Sequence, residues 1–229
     1  MDVRLHYVER GCGDTLILLH GNGESGEYFK QQLEYFSRRF RTIALDTRGH
    51  GASARGNAPF TLEQFADDLY CFMNNLSIDR AHILGFSDGG NIALYFALKY
   101  PDKVSSLILN GANLNPHGVK RRVQLPIIFG YHIARFFART NLRARQKAEM
   151  LALMVNEPDI LPQSLRAVKI KTLVIAGTKD MIREKHTRLI FEALPNASLK
   201  FIEGGHFIAA KNPAEFNRAV EAFLDGPMP

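Results

Sequence analysis

Two rhythms of apolar and polar positions alternate along this chain. Short apolar runs at Thr15 to Leu19, Thr42 to Leu45, Ala81 to Leu84, Val104 to Leu109, Thr172 to Ala176 and Leu199 to Ile202 have the length and continuity of strands buried on both faces. Between them, apolar residues three and four apart mark Glu27 to Phe36, Leu62 to Leu76, Gly89 to Tyr100, Arg183 to Leu194 and Pro213 to Leu224 as amphipathic helices. Thr61 with Gln64 three positions on has the form of a capping box, and Lys99-Tyr100-Pro101 forms a helix stop. This alternation predicts an α/β fold, a mostly parallel, doubly wound sheet covered by helices. A leading strand over Val3 to Val8 is expected to pair antiparallel at one edge.

The rhythm breaks once. From Leu114 to Ser164 about fifty residues pass without a strand, against roughly 2 to 6 for an ordinary connection. Pro116, Pro126, Pro158 and Pro162 punctuate this stretch, and helical patterns run from Ile127 to Thr140 and from Arg143 to Asn156. It reads as a small helical lid, residues 114–164, inserted into a core domain made of residues 1–113 and 165–229.

Composition narrows the function classes. At 229 residues, 46% hydrophobic and 23% charged, the chain is neither disordered nor fibrous. Cys12 and Cys71 cannot form a disulfide framework, and no Cys/His cluster offers a zinc site, so a reduced, cytoplasmic, metal-free protein is expected. No run of 18 uncharged apolar residues suggests a membrane span, and Met1-Asp2-Val3-Arg4 does not open a secretory signal. The net charge of +6 is local. No acidic residue occurs between Lys103 and Ala148, while Lys120, Arg121, Arg122, Arg135, Arg139, Arg143, Arg145 and Lys147 place eight cations there. These outweigh the net charge and leave the rest of the chain slightly negative. No nucleic-acid-binding motif accompanies them.

The sharpest chemical signal is Gly85-Phe86-Ser87-Asp88-Gly89, lying between the apolar run Ala81 to Leu84 and the helical Ile92 to Phe96. A strand that turns at once into a helix holds the serine in a strained conformation, and glycines two residues either side leave room for the neighbouring backbone. A serine hydroxyl needs a base, and the base needs a group that fixes its tautomer. Asp180 stands just beyond the run that ends Ala176-Gly177, and His206 just beyond the next. Groups at the carboxyl ends of parallel strands converge on one rim of the sheet.

Five motifs in order make the chain resemble the α/β-hydrolase superfamily. They are Leu18-Leu19-His20-Gly21-Asn22-Gly23, Asp46 to Ser53, the serine turn, Gly177-Thr178-Lys179-Asp180, and Gly204-Gly205-His206-Phe207. It looks most like the small lidded branch of esterases, haloperoxidase-like proteins and carbon-carbon-bond hydrolases. The resemblance implies a Ser87 nucleophile, a His206 base, an Asp180 orienting acid and no cofactor. It also assigns the oxyanion hole to the backbone N–H groups of Asn22 and Asp88, the latter at a helix start where N–H groups lack internal partners. His20 and His50 lie in glycine-rich turns beside the expected site, and a base role for either is conceivable; the family analogy makes both structural. His82 and His186 are expected to pack or face solvent, and Asp46 to brace its own loop. Some relatives place the acid after the strand preceding the lid, where this chain has Asn110, which cannot serve as an anion. About fourteen residues precede the first buried strand, room for one edge strand where two are common.

In the lid, His132, Arg135 and Arg139 recur at helical spacing beside aromatic residues. They form either a solvated basic face over a packed lid, or a substrate site in which Arg135 or Arg139 holds an anionic group. Contact with a membrane surface or nucleic acid is a third reading. The function expected is a cytoplasmic serine hydrolase that cleaves a small carboxylic ester or related acyl substrate, an anionic one if the lid arginines face it. Carbon-carbon-bond hydrolase, aminopeptidase and thioesterase chemistry share this triad, and a slow-turnover ligand sensor stands as the reading from another class.

Overall fold

The structure, a computed structural model, describes residues 2–226. Seven strands form one sheet: β1 (Tyr7–Arg10), β2 (Thr15–Leu19), β3 (Arg41–Leu45), β4 (Ala81–Phe86), β5 (Val104–Asn110), β6 (Thr172–Gly177) and β7 (Ala197–Ile202), in the spatial order β1-β3-β2-β4-β5-β6-β7. Only β1 is antiparallel, with Tyr7 opposite Leu45 on β3. The edge strand is shorter and later than the pattern predicts. Val3 and Leu5 are buried without joining the sheet, because β3 ends at Leu45, opposite Tyr7, and offers no strand for earlier residues to pair with.

Helices cover both faces: α1 (Lys30–Phe36), α2 (Leu62–Asn75), α3 (Asp88–Lys99), α6 (Glu184–Ala193), α7 (Ile208–Lys211) and α8 (Pro213–Asp225). Period-two alternation sends Ile17, Leu19, Ile83, Leu107, Leu109 and Val174 into the core under α2, α3 and α6. Leu16, Leu18, Leu84, Ile108, Leu173 and Ile175 point to the opposite core, under α1 and α8. The Thr61 hydroxyl accepts the Gln64 N–H at 3.2 Å at the start of α2. The Gln64 side chain turns instead to Asp68, so the expected capping box is only half formed, and the insertion supplies Glu157 to accept the Leu62 N–H at 2.7 Å.

Between β5 and β6 the chain forms α4 (Arg121–Phe137) and α5 (Leu142–Asn156), flanked by short 3₁₀ segments at Pro116–Gly118 and Pro162–Ala167. Pro126 does not punctuate this segment: it lies inside α4, which starts six residues before the position expected. The proline removes one intrahelical hydrogen bond, and the helix runs on through it. Gln124 of α4 donates to the Met154 carbonyl of α5 at 2.9 Å. Asn22 Nδ2 donates to Met150 O at 2.7 Å, and Arg55 grips Glu149 at 2.9 and 3.0 Å. At the other end the Lys120 ammonium donates to the main-chain oxygen of Asp180. The insertion is thus tied to loops at two sides of the sheet's carboxyl rim.

Candidate active site

The chain passes from β2 to β3 on one side and returns to β4 on the other, so the strand order reverses between β2 and β4, where open α/β sheets leave a crevice. Ser87 stands there, at the end of β4. Its backbone has φ 53° and ψ −118°, a left-handed conformation that costs a non-glycine residue about 1–3 kcal/mol. The strain is held by the Ser87 N–H donating to Asn110 O at 2.8 Å, and by its carbonyl accepting from Gly90 and Asn91 at 2.9 and 3.1 Å. The turn is possible only with its glycines: a Cβ on Gly85 would sit 2.2 Å from Gly89 O, and one on Gly89 would sit 2.0 Å from Leu19 O.

Asp180 and His206 meet. His206 Nδ1 donates to Asp180 Oδ1 at 2.7 Å, with both side chains almost wholly buried. The same carboxylate oxygen accepts the Ile182 N–H at 2.9 Å, which fixes the acid before the imidazole reaches it. The imidazole packs on Phe86, ring centroids 4.7 Å apart, and Phe86 in turn stacks on Tyr28 at 4.4 Å. With Nδ1 engaged, Nε2 carries the lone pair, and among the described residues it is buried without a hydrogen-bond partner. Ser87 itself is 9% exposed.

One contributor gave no signal in the chain's pattern. Gly111, just past β5, has φ +63°, and a Cβ there would lie 2.7 Å from His206 Cε1. The imidazole occupies the space a side chain would fill, which a lone glycine at a strand end does not announce. Asn110, in the alternative acid position, is buried and directs its amide to Ile175 O at 3.4 Å.

The Asn22 and Asp88 N–H groups, expected to form an oxyanion hole, make no main-chain hydrogen bond among the described residues. Asp88 opens α3, where the helix dipole favours negative charge. The turn before Asn22 is closed on itself, the Gly21 N–H donating to Glu24 Oε2 at 3.2 Å. The Asn22 side chain serves the insertion through Met150. Asp88 points its carboxyl into the interior: burial pushes it up to about 6, and Glu157 adds to this, against the amides of Asn22 and Asn91. Oδ1 receives Asn91 Nδ2 at 3.3 Å, while Oδ2 is buried without a partner. Burial also raises Glu24 and Glu157 above the ordinary carboxylate range.

The other histidines are engaged elsewhere. His20 donates from Nδ1 to Gly21 O at 2.7 Å and accepts the Thr47 N–H at Nε2, at 3.0 Å. Burial, with His50 beside it, lowers its pKa to about 4. His50 binds Arg48 O and Thr47 Oγ1 through Nδ1. Asp46 accepts from Gly26, Ala52 and His6, holding the loop to Ser53 closed. His82 bonds Ser106 Oγ at 2.7 Å. Buried His186 accepts the Leu114 N–H at 2.9 Å and so fastens the entry to the insertion.

Arg135 and Arg139 are not gathered with these groups. Both are exposed on α4 and the turn after it, and the Arg135 guanidinium lies against Tyr131, 3.4 Å from its hydroxyl and 5.9 Å from the ring centre. Among the described residues no group of three or more His, Cys, Asp or Glu is arranged to hold a metal ion, and no helix is long and apolar enough to cross a membrane.

The family model for the alpha/beta hydrolase fold matches residues 14–146. A protein of Caulobacter sp. (strain K31) that carries the name of a carbamate hydrolase, RutD, is 31% identical over 244 aligned residues, 93% of this chain and 91% of its own. The 3-oxoadipate enol-lactonase 2 of Acinetobacter baylyi is 28% identical, covering 97% of this chain and 94% of its own. Among solved structures, a hydrolase from Pseudomonas aeruginosa superposes with a TM-score of 0.81 at 25% identity, over 98% of this chain and 95% of that one. Fold, elbow and relatives agree: the chain belongs to the α/β-hydrolase family and is a hydrolase.

Proposed function

We propose that this hydrolase is a serine enzyme that cleaves a small, neutral carboxylic ester or lactone through Ser87, His206 and Asp180. The observation that carries the reading is the 2.7 Å bond from His206 Nδ1 to a buried Asp180, which leaves Nε2 as a free base in the same enclosed rim as a strained serine. A substrate carbonyl seated against the elbow closes the remaining gap, since such contacts tighten when substrate binds. Ser87 Oγ attacks the carbonyl carbon while its proton passes to Nε2, and the Asn22 and Asp88 N–H groups receive the oxyanion. The imidazolium, stabilised by Asp180, gives that proton to the departing alkoxide. Water then attacks the acyl-enzyme, its proton again taken by His206, and Ser87 is released with the acid.

Two features support a neutral substrate over an anionic one. Asp88, beside the serine, and Glu157, close enough to act on it, place carboxyl groups where an anionic substrate would need cations. The arginines expected to hold an anion are exposed. The lactone and carbamate of the relatives' names are both acyl bonds open to this attack. In the test, Ser87→Ala abolishes hydrolysis of short-chain p-nitrophenyl esters and covalent labelling by a fluorophosphonate. Ester hydrolysis at the wild-type rate by that variant overturns the mechanism, and a preference for carboxylate-bearing esters overturns the substrate class.

A further inference from the structure

The outer face of α4 is apolar. Leu125, Phe129, Ile133 and Phe136 are 62%, 68%, 45% and 77% exposed, while the residues this helix buries are Gln124 and Ala134. At 3.6 residues per turn the four exposed side chains fall within an arc of about 80°, and they span about 16 Å of the helix. Phe137 and Leu142, also more than half exposed, extend the patch across the turn into α5. A surface helix of a globular protein turns such a stripe inward; this one turns it to solvent. Exposed apolar side chains gathered along one helix face, with two more at the turn that follows, mark a binding surface.

Charge identifies the occupant. Arg121, Arg122, Arg135, Arg139, Arg143, Arg145 and Lys147 are all exposed around the patch. Among the described residues none of them forms an ion pair. A second copy of this chain is a poor partner: two-fold pairing of α4 on α4 would bring both sets of unpaired cations together. Nucleic acid would satisfy the arginines and leave phenylalanine, leucine and isoleucine uncovered. A lipid surface with anionic headgroups satisfies both, since apolar side chains enter the acyl boundary while guanidinium groups meet phosphate. We propose that α4 and the start of α5 form an interfacial helix pair by which this protein docks peripherally on an anionic membrane surface.

The test uses sedimentation of the full chain with vesicles of phosphatidylcholine alone or mixed with phosphatidylglycerol. Retention is expected on the anionic vesicles and not on the neutral ones, weakening as salt screens the arginines. Phe129→Ser/Phe136→Ser should reduce that retention by about tenfold or more, as should Arg135→Glu/Arg139→Glu, with Tm unchanged because every replaced side chain is exposed. The chain contains no tryptophan, so Phe129→Trp gives a single reporter whose emission should shift to the blue on anionic vesicles. The proposal is overturned by an unshifted reporter, by equal retention of wild type and the phenylalanine variant, or by a solution dimer that the phenylalanine variant dissolves.

Discussion

The sheet's carboxyl rim and the inserted helix pair treat the same residue types in opposite ways. Around the rim, many polar and charged groups are buried with partners: Arg48 donates to both oxygens of Asp68 at 2.7 Å, Asp46 receives two backbone N–H groups, and Asp180 holds His206. In the insertion, aromatic and aliphatic side chains stand in solvent while a glutamine packs inward. A rim built this way tolerates little movement, because each lost partner strands a buried polar group. The insertion carries few such obligations, and its outer surface is free to answer to something outside the chain.

The sharpest way to break this contrast is at the acid. Asp180→Asn should lower ester turnover by a factor on the order of 10⁴ while Tm changes little, because the amide keeps the shape and loses the charge that fixes the histidine tautomer. An activity loss below tenfold would place the acid elsewhere. Asp68→Ala should cost about 3–5 kcal/mol in urea unfolding by leaving buried Arg48 without its main partner. Glu149→Gln, at the partly exposed pair with Arg55 that ties the insertion to the rim, should cost no more than about 1 kcal/mol. Equal costs for the two substitutions would erase the distinction.

Gly111→Ala sharpens it further. A methyl group there must push on the His206 ring, and a shift of about 1 Å in the base predicts a fall in kcat of about 10², checked by steady-state kinetics beside a thermal melt. A smaller effect is expected from acidity inside the rim. Asp88 has its folded pKa raised to about 6 from an unfolded value of 3.8, so between about pH 4 and 6 the unfolded chain releases the proton first, and stability falls as pH rises. His20, lowered to about 4 from 6.5, acts the other way, its contribution being lost as pH falls from about 6.5. The Tm gap between Asp88→Asn and wild type should therefore widen in the variant's favour from pH 4 to pH 6 and stay constant above. A gap independent of pH would mean that Asp88 titrates normally.

Much of this architecture is legible in the amino-acid sequence. Six strands follow apolar runs to within one or two residues, since a strand buried on both faces leaves little choice of residue. The strained turn at Ser87 and the meeting of Asp180 with His206 can be expected from the sequence because each residue lies shortly beyond such a run. The insertion was harder. Periodicity reveals a stripe on α4 without revealing what the stripe faces, and the basic face expected there shares the surface with phenylalanines. Pro126 looked like punctuation because a proline's local cost is visible in sequence while the packing of α4 on α5 is not. Gly111 and the inward turn of Asp88 left no local trace at all, since each is defined by a neighbour nearly a hundred residues away or by a helix start whose surroundings come from the insertion.

The two ties of the insertion, Asn22 to Met150 on one side and Lys120 to the Asp180 carbonyl on the other, bear on anyone who would engineer this molecule. Trimming residues 114–164 to widen access for bulkier compounds would unfasten the turn that carries Asn22, proposed as an N–H donor, and the turn that carries Asp180, proposed as the acid, in a single cut. The insertion is also a buttress, and access is better altered by single substitutions that keep both ties than by removing it.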